Sequence, residues 1–178
     1  MICSICIKVN GLAYIKSMNK GKVKEFIFNV FSPLLLGSVI GLLTKDDFSY
    51  LDTLNRKINI PNIVFPIVWS GLYLLQGVWY NQYLKLENNK TIRFIYWTSI
   101  AVNLLFTPIL FTYQLPSLAI IDVIVLICLI GYLFFYCITK KYKIAYLYLP
   151  YMIWLIIAFS LMVDILIHNY KKGAALFN

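Results

Sequence analysis

Five apolar runs, at about 26–43, 63–84, 94–112, 116–138 and 144–167, dominate the chain. A hydrocarbon core about 30 Å thick needs about 20 apolar residues per helix, and each run approaches or exceeds that length. The fold class expected is therefore all-α, an integral membrane bundle of five transmembrane helices. Composition agrees: 13% of the 178 residues are charged and 61% hydrophobic, against about 25% charged in a soluble domain, and the mean hydropathy is +0.78. The first run is the shortest and contains Pro33, Gly37 and Gly41. Thr112 to Pro116 is a tight turn, which makes the third and fourth runs an antiparallel hairpin. The one sizeable connection, 44–62, is polar and rich in Asp, Asn and Lys. Three parts follow: a basic segment 1–25, a membrane domain 26–170 and a short tail 171–178.

Sixteen Lys and Arg against seven Asp and Glu give a net charge of +9. The basic residues sit in short clusters between apolar runs, an arrangement that suits lipid headgroups and topology and argues against nucleic acid as a partner. Lys8, Lys16, Lys20, Lys22, Lys24, Lys85, Lys90, Arg93, Lys140, Lys141 and Lys143 fall on one side of a five-span chain. Only Lys45, Arg56, Lys57, Lys171 and Lys172 fall on the other. The positive-inside rule then places the N-terminus on the cytoplasmic side of a bacterial cell membrane, a rule that does not carry over to an organelle outer membrane. Cys128 and Cys137 lie within an apolar run and read as small hydrophobes. Cys3 and Cys6 have no second pair or nearby histidine to complete a zinc site. Residues 1–17 lack the basic start and cleavage site of a signal peptide, and Met18, ahead of a lysine-rich run, reads as an alternative start.

The second run opens with a proline and carries a patterned face. At about 100° per residue, Trp69, Tyr73, Gln76, Tyr80 and Tyr83 fall within about 40° of one line, with Phe65 at its edge. A helix facing only lipid has no use for such a stripe, so it points at other helices or at a ligand. Gly71, Leu74, Leu75 and Val78 form the opposite side, suited to lipid or a close neighbour.

Polar residues at membrane depth are costly and mark function or helix–helix bonding. The third run aligns Tyr96, Ser99, Asn103 and Thr107, and Pro108 is expected to kink its end. The fourth has Asp122 near its start, read as structural in preference to a proton relay. The fifth aligns Leu147, Pro150, Tyr151, Trp154, Ala158, Leu161, Ile165 and His168, with Ala158 leaving a recess beneath the Trp154 indole. Asp164 and His168 are spaced to pair. A single histidine cannot provide bis-axial haem ligation, and neither a metal site nor a catalytic constellation is expected. Gly37-x-x-x-Gly41 matches the small-residue packing motif, within the bundle or between two copies.

Three ordered blocks resemble the TspO/MBR family, the tryptophan-rich sensory proteins and translocator (peripheral benzodiazepine receptor) proteins. LNRKINIPNIVFPIVWSGLY (54–73) is similar to the loop and second helix. AVNLLFTPILF (101–111) is similar to the third-helix block through Asn103, Pro108 and Phe111. LPYMIWLIIAFSL (149–161) is similar to the fifth-helix block through Pro150, Tyr151, Trp154, Ala158 and Leu161. The resemblance covers about residues 26–170.

It implies a five-helix bundle that often dimerises and that binds porphyrins, sterols and benzodiazepine-type ligands within the bundle. Trp69 and Trp154 match the family tryptophans associated with porphyrin binding and, in some bacterial members, with slow light-dependent porphyrin breakdown. Ala158 and Leu161 match positions lining the drug-like site. Phe65 and Tyr73 would extend the wall, Tyr151 lies beside it, and Asn103 with the cations of the 44–62 loop would meet propionates. Leu166, Tyr170 and Lys172 fit a sterol-contact pattern, itself weak. No resident cofactor is expected. Porphyrin binding or sensing leads, with photochemical turnover and small-molecule or sterol transport as the alternatives. The first loop departs from the family: K-P-x-W-x-P-P reads Arg56-Lys57-Ile58-Asn59-Ile60-Pro61 here, which implies a looser lid. Phe106 stands where tryptophan is usual, and Met162 where asparagine is.

Overall fold

Apolar segments of this length fold into helix throughout. The structure, a computed structural model, describes residues 20–173, with side chains from 21 to 169. Cys3, Cys6 and Met18, and the side chains of Tyr170 and Lys172, lie outside the described residues. The helices are α1 (Lys20–Leu43), α2 (Val64–Leu86), α3 (Lys90–Thr107), α4 (Pro116–Thr139) and α5 (Leu149–Gly173). Tight 3-10 turns cover Lys45–Thr53 and Lys143–Tyr148, and a wider π turn covers Pro108–Thr112. Among the described residues there is no strand.

Local chemistry sets the ends. Asn89 caps α3 by accepting from the Thr91 N–H at 2.9 Å, which satisfies one of the helix's orphan donors. Pro108 lacks an N–H, so the ladder widens there: the Tyr113 N–H reaches the Pro108 carbonyl at 2.9 Å, the five-residue step of a π turn. Pro116 then starts α4 at a position where its missing N–H costs nothing. At the far end of α4 the Tyr142 N–H bonds to the Cys137 carbonyl at 2.8 Å, and the Lys141 N–H to that of Ile138 at 2.9 Å. This is a Schellman cap with Lys141 in the left-handed region (φ 58°) usually held by glycine.

Helix α1 lies along α2, and α3, α4 and α5 pack in sequence order. The α1–α2 crossing is closest at Gly77, where a Cβ would collide with the Val30 backbone carbonyl. Gly37 is flattened against the Tyr73 ring, whereas a Cβ on Gly41 would meet nothing within 4 Å. The packing expected of Gly37-x-x-x-Gly41 is thus shared between Gly37 and Gly77. The stripe on α2 faces inward: Phe65, Tyr73, Gln76, Tyr80 and Tyr83 are buried, Trp69 is half-buried and Gly71 is exposed. Burial extends past the stripe to Leu72, Trp79 and Asn81. A second aromatic stack, Trp79 on Tyr83 at 5.1 Å and Tyr80 on Tyr96 at 4.3 Å, fills the other end of the bundle.

Among the described residues, four helical stretches are long and apolar enough to cross a membrane: Gly21–Leu43, Lys90–Thr112, Pro116–Thr139 and Lys143–Asn169. Helix α2 has the length but not the hydropathy, because it carries Gln76 and three tyrosines on its inward stripe and Ser70, Asn81 and Gln82 beside it. The described residues form an all-helical integral membrane protein with four such spans, one fewer than the apolar runs suggest.

Candidate functional site

Where α1 and α2 diverge from their Gly77 crossing they leave a cleft of about 570 Å³. Leu34, Gly37, Ile40 and Gly41 of α1 form one wall, and Ile63, just ahead of α2, with Pro66, Trp69 and Tyr73 of α2 the other. Phe48 and Lys45 of the following turn close one end with Asn62, and Thr107 of α3 lies at the back. Pro66 is tolerated because it falls in the first turn of α2. The lining is mainly apolar with a few placed polar groups, the usual make-up of a small-molecule site. Lys45 is its cation.

Trp69 stands where this cleft meets the bundle interior. Its ring lies 6.1 Å from Tyr73 and 6.2 Å from Phe106. Tyr151 and Trp154 meet it nearly perpendicular, at 6.1 Å and 84° and at 6.3 Å and 87°. Phe65 in turn meets Trp154 at 6.0 Å. Edge-to-face contacts of this kind are the preferred aromatic geometry, and they fix the Trp69 indole from behind while its other side faces the cleft. Beneath lies a polar layer: the Tyr73 hydroxyl donates to Asn103 Oδ1 at 3.3 Å, and Asn103 Nδ2 donates to the Tyr151 hydroxyl. Asn103 therefore bonds between helices through both amide atoms.

Of the residues expected at the site, Trp69 and Tyr73 line the cleft. Phe65, Tyr151 and Trp154 back them. Asn103, Ala158 and Leu161 are buried deeper, at most 5% exposed, and do not line it. Leu166 is half-buried on α5, away from the cleft. The Trp154 Nε1 proton donor is enclosed without a hydrogen-bond partner.

The 44–62 connection is held at both ends. Asp47 Oδ2 accepts from the Thr112 hydroxyl at 2.5 Å, and Phe48 stacks on Phe111 at 4.3 Å, tying the first part to the π turn. Asp164 Oδ2 accepts from the Lys57 and Ile58 N–H groups at 2.7 and 2.9 Å. Asn169 accepts from the Asn55 N–H at 3.1 Å and donates to the Asn55 carbonyl at 2.7 Å. Asp164 also meets His168 Nδ1 at 3.0 Å, the expected pair. A loop short of prolines and tryptophan is thus pinned from α5 instead.

Sequence reasoning missed the α1 wall, Phe48 and the Asp164–Asn169 clasp, and named Lys45 only as one of the cations of the 44–62 loop. The glycines of α1 were the one signal for the first. The clasp grips backbone amides, which leave no trace in side-chain patterns.

The TspO/MBR family profile matches residues 29–168. A tryptophan-rich sensory protein of Cereibacter sphaeroides is 28% identical over 136 residues, covering 76% of this chain and 85% of that one.

Proposed function

Because this chain belongs to the TspO/MBR family, we propose that it is a membrane binding and sensory protein whose ligand is a porphyrin-class tetrapyrrole. The observation that carries this reading is the Trp69 indole, facing a cleft of about 570 Å³ and braced edge-on by Trp154. A flat, largely apolar macrocycle gains most from such a rigid aromatic wall. Lys45, in the cleft lining, would meet a carboxylate on the ligand rim; Asn103, already engaged, supports the wall through Tyr73. On this reading α2 is a fifth span, its polar face covered by neighbours, and the N-terminus lies on the more basic, cytoplasmic side of a bacterial membrane. The family tendency to dimerise carries over as part of the proposal.

Titration with protoporphyrin IX, read by quenching of tryptophan fluorescence, tests it. Trp69→Leu and Trp154→Leu should each weaken binding about tenfold or more, the scale of an interface anchor. Unchanged quenching and affinity in the double variant would falsify the site.

The perpendicular pair of indoles 6.3 Å apart supports a second reading, light-dependent turnover of the bound porphyrin. Illumination of protein with protoporphyrin IX should then give an absorbing product beyond a protein-free control, and no such product removes this reading while leaving binding untouched.

A further inference from the structure

Of the three cations in the 44–62 connection, Lys45 and Lys57 are exposed and Arg56 is not. The Arg56 side chain keeps 9% of its surface open to solvent. A buried guanidinium is costly unless its N–H groups are paired, yet Nη1 is enclosed with no hydrogen-bond partner. Nη2 meets Asp52 Oδ1 at 3.7 Å, well beyond the roughly 2.7–2.9 Å of a charge-assisted hydrogen bond. The same Oδ1 lies 3.4 Å from Asn62 Nδ2, and Oδ2 lies 3.3 Å from it. Asn62 lines the cleft. One carboxylate oxygen therefore stands between the Arg56 guanidinium and an amide of the cleft wall.

Arg56 and Asp52 are held very differently. The clasp from α5 takes the N–H of Asn55 on one side of Arg56 and those of Lys57 and Ile58 on the other. It fixes the backbone on which the guanidinium stands, the support a binding group needs. Asp52 lies in the preceding 3-10 turn with its side chain 64% exposed, and its contacts to Arg56 and Asn62 are long. A pair kept for structure would close to hydrogen-bond distance and shed its water; this carboxylate does neither. An anchored cation with an unused donor faces a loosely held anion.

We propose that Arg56 and Asn62 form a carboxylate receptor at the Asn62 end of the cleft, and that Asp52 fills it as a built-in carboxylate which one on the ligand replaces. The inference rests on the porphyrin reading of the cleft and adds a specificity to it: acids are taken in preference to their esters. Asp52, already largely in solvent, swings out to water at little cost. The two oxygens of the incoming carboxylate pair with Nη1 and Nη2 together, the planar fork that arginine offers and lysine does not. Nη1 gains the acceptor it lacks, and the guanidinium is never left without a counter-charge.

The test is titration of the full chain in detergent with protoporphyrin IX and, separately, with its dimethyl ester, read by quenching of tryptophan fluorescence. Wild-type protein should bind the diacid more tightly. Arg56→Gln should weaken the diacid about tenfold, the scale of one charged hydrogen bond, and leave the diester as in wild type. Asp52→Ala removes the competing carboxylate and should tighten the diacid by a similar factor, again without effect on the diester. Lys45 by itself would also favour the diacid, but that preference would survive intact in Arg56→Gln. A purely structural Asp52–Arg56 pair would make each variant shift both ligands together. Arg56→Lys, which keeps the charge without the fork, should fall between wild type and Arg56→Gln, and takes its place should that variant fail to fold. Equal loss of both ligands in the Arg56 variant, or no gain for the diacid in Asp52→Ala, overturns the inference and leaves the porphyrin reading standing. Failure of both ligands to bind wild-type protein overturns that reading, and this one with it.

Discussion

At the scale of single residues, the decisive positions are those where one atom more or less changes what the backbone can do. Gly77 admits the Val30 carbonyl into the space of a side chain, so Gly77→Ala should destabilise the protein by about 1–3 kcal/mol, the usual cost of overpacking. Gly41→Ala meets nothing and should be neutral or stabilising by up to about 1 kcal/mol through helix propensity; thermal unfolding in detergent separates the two glycines. Lys141, held at φ 58°, is strained without compensation from its side chain. Lys141→Gly should raise the unfolding midpoint, with a gain of about 1 kcal/mol. Trp69 and Trp154 were legible as partners from their register and family resemblance. Which of them would face the open space was not, because that depends on where α1 diverges from α2.

At the scale of elements, the apolar runs and the Thr112–Pro116 hairpin could be read directly, since length and turn chemistry leave few alternatives. The boundaries shifted where the apolar signal and the helix differ: α1 is already helical at Lys20, the first described residue, ahead of the apolar run, and α5 is preceded by a 3-10 turn. The 44–62 connection was the least legible part. Its order comes from carboxylate and amide groups on α5 that grip main-chain atoms, and any sequence presents those atoms. Asp164→Ala removes the Oδ2 acceptor shared by the Lys57 and Ile58 amides. Hydrogen exchange at those amides should quicken by about tenfold or more, the cost of losing charge-assisted bonds, while amides of α3 and α4 keep their protection. Equal exchange in variant and wild type would show that other contacts hold the loop.

At the scale of the whole molecule, a ligand that binds the folded bundle alone must stabilise it. Protoporphyrin IX at about a hundredfold above its dissociation constant should add about 2.7 kcal/mol to unfolding, seen as a raised melting point, and a tenfold loss of affinity in Trp69→Leu should cut that gain to about 1.4 kcal/mol at the same concentration. The polar interior of α2 has another consequence, for biosynthesis. A helix that hides much of its polar face against later helices cannot partition into lipid by itself as readily as the other four. When the chain emerges, α2 should linger at the insertion machinery until α3 and α5 arrive to cover Gln76 and the tyrosines. In a stepwise insertion assay, chains truncated after α2 should integrate poorly and chains extended through α5 should integrate fully. The α2 wall of the cleft would then settle into the membrane later than the α1 wall that faces it.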